Sequence, residues 1–341
     1  MSASAVPERF GADLKTLVLG AGDSRSSAPL AASDSRRELP LEGKAFRTLR
    51  GRLVIEYVLD LLQECGLRRI WVLATDVELR RISPRYRFTA IAQPPGAQFF
   101  TNLLAGAAVM SPAPDEPILV MFGDHPVTAP RAFTAFLATC AAQLEAADFF
   151  HGFALRAAYQ EYGQWFRRTS LHMREMSGRA TGFSLAVPSR LHGVDALNEL
   201  YGVRKLEQHR SMIRLIRHLV RLTGGSAPRA VLDALLVYMA KEFEKRGQGQ
   251  GRGATLARRI ERWLAARVPG DRLRRHAARV LGAERGVCLV PIAHGGIALD
   301  VDFAEELRTL EENWEAIRSV SFRQDQAIRL PSRDGCLQHS G

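Results

Sequence analysis

The chain has 341 residues, 46% of them hydrophobic and 24% charged, a composition typical of a globular protein with one elaborated domain or two. It contains no run of about 18 apolar residues and no apolar stretch within Met1–Gly11, which excludes a membrane-spanning helix and a secretory signal and predicts a cytoplasmic location. The formal net charge is +11, but residues 155–290 alone hold 26 Lys and Arg against 11 Asp and Glu, which indicates an anionic partner or a solvated helical surface.

The first half of the chain alternates short apolar runs with helical patterns. Strands are predicted at 16–20, 69–74 and 117–122, and helices over 55–65, 99–110 and 133–144. Continuous apolar runs are typical of strands that are buried on both faces. The alternation therefore predicts an α/β fold, a three-layer α/β/α sandwich with a mixed, mostly parallel sheet.

The pattern becomes almost wholly helical between residues 201 and 285. Helices are predicted over 209–222, 230–246, 254–267 and 272–281, separated by breaks rich in Gly and Pro. A strand at Val287–Pro291 and a closing helix at Ala304–Ile317 follow, and then a loose tail at 323–341. We therefore expect a core of residues 1–200, with its acceptor part after about 150, an inserted basic helical block, and a return to the core at 286–322.

A glycine-rich turn follows the first predicted strand. The sequence from Leu19 to Arg25 contains Gly20 and Gly22, whose backbone N–H groups can approach phosphates, and an arginine that can offset phosphate charge. It is neither a Walker A loop nor a GxGxxG turn. A purely structural turn is the alternative interpretation.

Three charged residues farther along the chain are candidates for a phosphate and metal site. Lys44 follows the flexible loop and can place a point charge on a triphosphate, or can simply be solvated. Asp124 follows the third apolar strand, where α/β sheets bind ligands, and can hold Mg²⁺ or cap the next helix. Asp302, just before the closing helix, has the same two alternatives.

Five segments in this order resemble the MobA-like NTP transferase family, which has a GT-A type Rossmann-like fold. They read LGAGDSRSS, GK, GRLVIEYVL, GDHP and LDVDFAEEL. The resemblance covers residues 14–150 and 286–315. The chain departs from the family pattern at Arg25, which lies one place early, at Leu53, which replaces a proline, and in the length between the loop and Lys44.

The resemblance implies a Mg²⁺-dependent transfer of a nucleoside monophosphate from an NTP to a phosphorylated small-molecule acceptor, with release of pyrophosphate. It implies catalytic roles for Arg25, Lys44 and Asp124, and a metal site at Asp124 and Asp302. The implied nucleotide contacts are Leu19, Gly20, Ala21, Gly22, Ser24, Arg25, Lys44, Gln93, Asn102 and Gly106, and the implied acceptor contacts are Arg174, Arg179 and Thr181.

A second hypothesis assigns the protein to a different class. The basic block at 201–285 can bind nucleic acid or an anionic membrane surface, with a degenerate core that has no catalytic role. Few aromatic residues lie among its arginines, which disfavours nucleic acid because single strands are bound by stacking. The segments 212–222 and 232–246 can form basic amphipathic helices on a membrane surface.

Overall fold

The computed structural model of the chain describes residues 6–20, 43–94, 97, 99–193 and 227–329. Four of the predicted nucleotide contacts, Ala21, Gly22, Ser24 and Arg25, lie outside the described residues, as do the helix predicted over 209–222 and the end of the tail from residue 330.

The described strands form a large twisted sheet and one short hairpin. The strands are β1 (Thr16–Leu19), β2 (Thr48–Leu49), β3 (Arg52–Leu53), β4 (Ile70–Ala74), β5 (Thr89–Ala92), β6 (Ile118–Phe122), β7 (Phe149–Leu155), β8 (Leu171–His172), β9 (Ser177–Ala186) and β10 (Val287–Ile292). Within the described ranges the main sheet has eight strands in the order β10-β7-β9-β6-β1-β4-β5, with β8 paired to β9, while β2 and β3 pair with each other.

The described helices cover the sheet and build the inserted block. They are α1 (Val54–Glu64), α2 (Asp76–Leu79), α3 (Phe99–Met110), α4 (Pro130–Gln143), α5 (Arg156–Gln160), α6 (Ala227–Gly247), α7 (Arg252–Ala265), α8 (Gly270–Leu281), α9 (Ala304–Glu312) and α10 (Trp314–Ala327). None of them combines the length and the apolar composition that a membrane crossing requires.

The sheet confirms the predicted α/β architecture. β1 pairs in parallel with β4 and β6, β4 with β5, and β10 with β7, whereas β9 runs antiparallel to both of its neighbours. Alternate residues of β1 enter opposite layers: Val18 packs in the cluster with α1 and α4, and Leu17 packs with Ala107 and Met110 of α3. The sheet is therefore buried on both faces, as its apolar strands predict.

Two central strands, β7 and β9, are absent from the sequence prediction because glycines interrupt their apolar pattern. A side chain at Gly182 would place its Cβ 2.3 Å from Cδ2 of His125, and one at Gly178 would lie 2.1 Å from the carbonyl oxygen of Ala154. Glycine is required at both positions because neighbouring atoms leave no room for a Cβ. Neither glycine forms a turn, although glycine in a sequence often indicates one.

A buried charge cluster attaches the helical block to the core. Glu261 of α7 accepts a hydrogen bond from Arg156 at 2.5 Å, and its Oε1 lies 3.4 Å from Nδ1 of His172. Glu244 of α6 lies 3.1 Å from Nε2 of the same imidazole and accepts a hydrogen bond from the backbone N–H of Ser170 at 2.5 Å. Because every one of these groups has a partner, the block is fixed to β8 and α5 by specific contacts.

The closing region differs from the prediction, which had one helix at Ala304–Ile317 and a loose tail from residue 323. The helix is divided at Asn313 into α9 and α10, and α10 continues to Ala327. Gln324 and Asp325 are buried, and Asp325 accepts a hydrogen bond from the backbone N–H of Ala132 at 3.0 Å. Residues 323–327 therefore belong to the fold, because polar side chains cap and brace α4 there.

The close approach at Gly182 generates a stability prediction. We expect Gly182→Ala to lower the free energy of unfolding by about 1–3 kcal/mol, because the new methyl group overlaps the buried His125 ring. Gly253→Ala is the matched control, because an added Cβ in helix α7 meets no atom within 4 Å. Its free energy of unfolding should equal that of the unmodified protein or exceed it by up to about 1 kcal/mol. Urea denaturation of the two variants measures both values, and equal stabilities would contradict the packing argument.

Candidate active site

The site lies where the adjacent parallel strands β1 and β6 end. Leu19 pairs with Phe122, and the next residues are Gly20 and Gly123. The N–H of Gly123 donates to the carbonyl of Leu19 at 2.9 Å, so the two strand ends remain in register. A Cβ at Gly20 would lie 2.8 Å from the Phe46 ring, so glycine lets the first strand end directly beneath the turn that carries Lys44. This carboxyl edge is where open α/β sheets bind ligands.

The ammonium group of Lys44 connects two carboxylates that are far apart in the chain. Its turn, Lys44–Phe46, is anchored by the buried side chains of Ala45 and Phe46. Lys44 Nζ contacts Oδ2 of Asp124 and lies 2.8 Å from Oδ1 of Asp302. The three residues predicted from sequence as cation and metal ligands thus converge at a single point.

Lys44 and Asp302 stabilise each other's charged forms. Burial alone would lower the pKa of the Lys44 ammonium, but the carboxylates of Asp124 and Asp302 together raise it above its usual value. Burial would likewise raise the pKa of Asp302, but Lys44, a hydrogen bond with Asp300 and then Arg168 hold it well below its usual range. At neutral pH the ammonium of Lys44 and the carboxylate of Asp302 are therefore both charged.

Arg168 fixes the acidic segment before α9, a role that no pattern in the sequence indicates. Its guanidinium lies 2.8 Å from Oδ1 of Asp300, 3.2 Å from Oδ2 of Asp302 and 2.5 Å from Oε1 of Glu306. The second oxygen of Glu306 accepts hydrogen bonds from the backbone N–H groups of Asp302 at 2.9 Å and Phe303 at 3.1 Å. Asp302 is therefore held from both its backbone and its side chain.

The structure excludes the capping alternative for Asp124 and Asp302. α4 begins at Pro130 after Ala129, so Asp124 is not its N-terminal cap. α9 is preceded by Phe303, and Glu306, not Asp302, accepts from its first N–H groups. The backbone N–H of Val301 donates to the carbonyl of Asp124 at 3.1 Å, which joins the two acidic segments.

Asp124 and Asp302 together suit a hard divalent cation. Asp124 is only 5% exposed, and its Oδ1 has no hydrogen-bond partner, with the nitrogen Nε2 of His125 at 3.6 Å. Carboxylate oxygens are preferred ligands of Mg²⁺, which completes its shell with water and substrate phosphates. No group of three or more metal-ligating side chains forms within the described ranges, so the chain would supply one or two ligands at most here.

Three further predicted nucleotide contacts lie on α3 and after β5, and each has a different environment. Asn102 of α3 is 1% exposed, and neither its amide oxygen nor its amide nitrogen has a hydrogen-bond partner. Gly106 approaches Leu17 so closely that a Cβ would lie 2.5 Å from Cδ2, which makes it a packing position for α3 on β1. Gln93 follows β5, and its N–H donates to the carbonyl of Ala74 at 2.9 Å.

The three predicted acceptor contacts do not converge. Arg179 of β9 lies 3.7 Å from Oδ1 of Asp300 and donates to the carbonyl of Thr169 at 3.2 Å, so it borders the acidic cluster. Thr181 is buried within β9, where its hydroxyl is 3.4 Å from the carbonyl oxygen of Phe183. Arg174 is directed toward the helical block and donates to the carbonyl of Ala266 at 3.1 Å.

Comparison with known proteins agrees with this architecture. The chain is similar to a solved structure described as a hypothetical transferase from Thermus thermophilus, with 18% identity, a TM-score of 0.55, and coverage of 86% of this chain and 99% of that one. A CMP:2-keto-3-deoxy-manno-octonic acid synthetase complexed with CTP matches with 15% identity, a TM-score of 0.39, and coverage of 63% of this chain and 87% of that one. A search of curated proteins gave no significant match.

A family model provides the assignment. Residues 29–152 match the model of the MobA-like NTP transferase domain. The matched segment contains Lys44 and Asp124 and begins after the glycine-rich turn, while Asp302 lies beyond its end. Residues 29–152 thus match a MobA-like NTP transferase domain, and this match supports a nucleotidyltransferase.

Proposed function

We propose that the protein transfers a nucleoside monophosphate from an NTP to a phosphorylated small molecule and releases pyrophosphate, with Mg²⁺ as its cofactor. The observation that carries this proposal is the convergence of Asp124 and Asp302 on one cation position at the carboxyl edge of β1 and β6. In a nucleotidyltransferase domain, such a position is suited to a cation that also contacts substrate phosphates.

The reaction requires no nucleophile from the protein. A phosphate oxygen of the acceptor attacks the α-phosphorus, the bond from that phosphorus to the bridging oxygen breaks, and pyrophosphate leaves with its electron pair. Asp124 and Asp302 would hold Mg²⁺, which when bound neutralises charge on the phosphates. Positioning and electrostatics therefore supply most of the catalysis.

Lys44 has one role in the free protein and another in the complex with substrate. In the free protein its ammonium neutralises Asp124 and Asp302 and occupies the position toward which both carboxylates point. On binding of a metal and a nucleotide, Lys44 would exchange the carboxylates for a phosphate oxygen, which it would contact as a point charge. Gly20 and the loop through Arg25 would surround the same phosphates, as the family resemblance implies.

The acceptor is proposed to be phosphorylated because the segment after Asp124 is strongly basic. Among the predicted acceptor contacts, Arg179 is the one that borders the acidic cluster, through Asp300. Arginine recognises phosphate oxygens through a planar fork of donors, which suits this position.

A second candidate function, peripheral binding to an anionic membrane, is favoured by one face of α7. Residues 252, 256, 259 and 263 are spaced so that they share a helix face, and they are Arg, Leu, Arg and Trp. Leu256 is 59% exposed and Trp263 is 55% exposed, while the opposite face, with Ala257 and Leu264, is buried. An exposed Trp and Leu among arginines match the interfacial zone of a membrane with anionic lipids.

Replacing the buried metal ligand tests the catalytic proposal. We expect Asp124→Asn to reduce Mg²⁺-dependent pyrophosphate release by about 10²-fold or more, because the metal loses an anionic ligand. The exposed carboxylate Asp115, which pairs with Arg190, gives the matched control Asp115→Asn, with unchanged turnover expected. Thermal shifts with ATP, GTP, CTP and UTP, each with and without Mg²⁺, identify the donor first. Full activity of Asp124→Asn would exclude this metal site.

Replacing Lys44 separates its two roles. Lys44→Met removes the ammonium that competes for the carboxylates, so we expect Mn²⁺, used as a spectroscopic substitute for Mg²⁺, to bind the nucleotide-free protein about tenfold more tightly. Turnover should fall at the same time, because the phosphate contact is lost. Electron paramagnetic resonance titration measures the free metal. Unchanged Mn²⁺ affinity would show that Lys44 does not compete for the metal position.

The membrane candidate has its own test. Sedimentation with phosphatidylcholine vesicles, with and without phosphatidylserine, should show binding only to the anionic vesicles, decreasing as salt rises. We expect Trp263→Ala to weaken this binding roughly tenfold, because the side chain loses its apolar contact with lipid. Phe322→Ala removes an equally exposed aromatic residue on α10 and should have no effect. Binding to nucleic acid but not to vesicles would reject the membrane candidate.

A further inference from the structure

A cavity of about 300 Å³ lies next to the acidic cluster and shares a wall with it. Arg168, which holds Asp302 on one side, lines the cavity on the other. The remaining walls come from α5, from the segment between α5 and β8, and from the end of α6. A molecule bound there would lie directly beside the cation position of the proposed reaction.

We propose that this cavity is the acceptor site, and that it binds a small molecule with one anionic group and a hydroxyl group. This inference rests on the proposed function and names its acceptor class. Three features of the cavity carry it: an arginine without a carboxylate partner, a buried hydroxyl without a partner, and a carboxylate contributed by the helical block.

One arginine at the cavity has no carboxylate partner. Arg168 is paired with Asp300, Asp302 and Glu306. Arg156 is paired with Glu244 at 3.4 Å and with Glu261 at 2.5 Å. Arg167, which also lines the cavity, is exposed and forms no ion pair with any residue in the described ranges. The phosphate of a ligand would give Arg167 its partner, since a guanidinium binds phosphate oxygens through a planar fork of donors.

Tyr159 supplies a hydrogen-bond donor. Its side chain lines the cavity and is only 4% exposed, yet its hydroxyl has no hydrogen-bond partner. The ring is held in place by the guanidinium of Arg179, whose Cζ lies 5.4 Å from the ring centroid. Burial raises the pKa of the Tyr159 hydroxyl to about 12, so it remains a donor at neutral pH. Buried polar groups normally have partners, and a ligand oxygen is the partner that this position lacks.

Glu244 at the end of α6 supplies the complementary acceptor. Its position is fixed by the N–H of Ser170 and the imidazole of His172. Although burial would raise the pKa of Glu244, His172 and Ser170 lower it, so the carboxylate stays charged and can accept a hydrogen bond from a ligand hydroxyl. The helical block therefore closes the cavity. All of these lining residues lie outside the 29–152 domain, so the cavity is built by the part of the chain that follows it.

Isothermal titration calorimetry of the full chain without nucleotide tests the inference. The probes are polyol monophosphates of three to six carbons and the carboxylic acids of the same polyols, so the two arms distinguish a phosphate from a carboxylate. We expect the phosphates to bind, because the proposed reaction uses an acceptor phosphate, and binding by the carboxylic acids alone would contradict a phosphorylated acceptor. Arg167→Ala should weaken this binding at least about tenfold through loss of a charge-assisted contact. Arg275→Ala removes the same charge from an exposed arginine of α8 that pairs with Asp271 and does not line the cavity, and it should leave binding unchanged.

Tyr159→Phe tests the hydroxyl contact apart from any effect on folding. It should weaken the same probe by about tenfold while the ligand-free protein keeps its melting temperature, because the deleted hydroxyl has no partner in the fold. Equal losses in Arg167→Ala and Arg275→Ala would overturn the cavity assignment, and so would a wild-type protein that binds Mg²⁺ and an NTP but none of the probes. Failure to bind any NTP would reject the proposed function itself, and probe binding in that protein would still support the cavity.

Discussion

Four carboxylates, those of Asp124, Asp300, Asp302 and Glu306, converge where β6 ends, and the architecture around them depends on two cations. Like charges this close and this shielded from water are unfavourable without partners. Lys44 and Arg168 supply the partners from distant parts of the chain: Lys44 is 258 residues from Asp302, and Arg168 is 134 residues from it. The early turn, the central segment and the closing segment are therefore joined by one electrostatic requirement, the pairing of buried carboxylates with cations.

The candidate active site and the neighbouring cavity are built largely by different segments of the chain. Residues 29–152, which match the family model, contain the end of β6, Lys44 and Asp124, whereas β1 precedes them. The cavity beside Arg168 is built from α5, the following segment and α6, and the charge cluster of Glu244 and Glu261 fixes the helical block around it. In the proposed function, the matched segment would bind the NTP and the cavity would bind the acceptor.

Much of the fold was predictable because its signals are local. The apolar runs of β1, β4 and β6 and the helices around them are predicted to within a few residues. Lys44 is indicated by the flexible loop before it, Asp124 by the apolar strand before it, and Asp302 by the closing helix after it. The missing parts depend on contacts between distant segments. β9 was hidden because Gly178 and Gly182 are required by neighbours that sequence spacing does not reveal. Arg168 was one arginine among many in a basic segment, and only the folded chain places it against Asp302.

The order of the segments along the chain has a consequence for biosynthesis. β10, which pairs with β7, and Asp302 both follow the helical block, so they leave the ribosome after the 29–152 domain and after that block. A nascent chain that has completed the 29–152 domain already contains Asp124, but it lacks the second carboxylate and the helix that fixes it. Until β10 pairs with β7 and the segment with Asp302 follows, the growing polypeptide cannot assemble the paired acidic site.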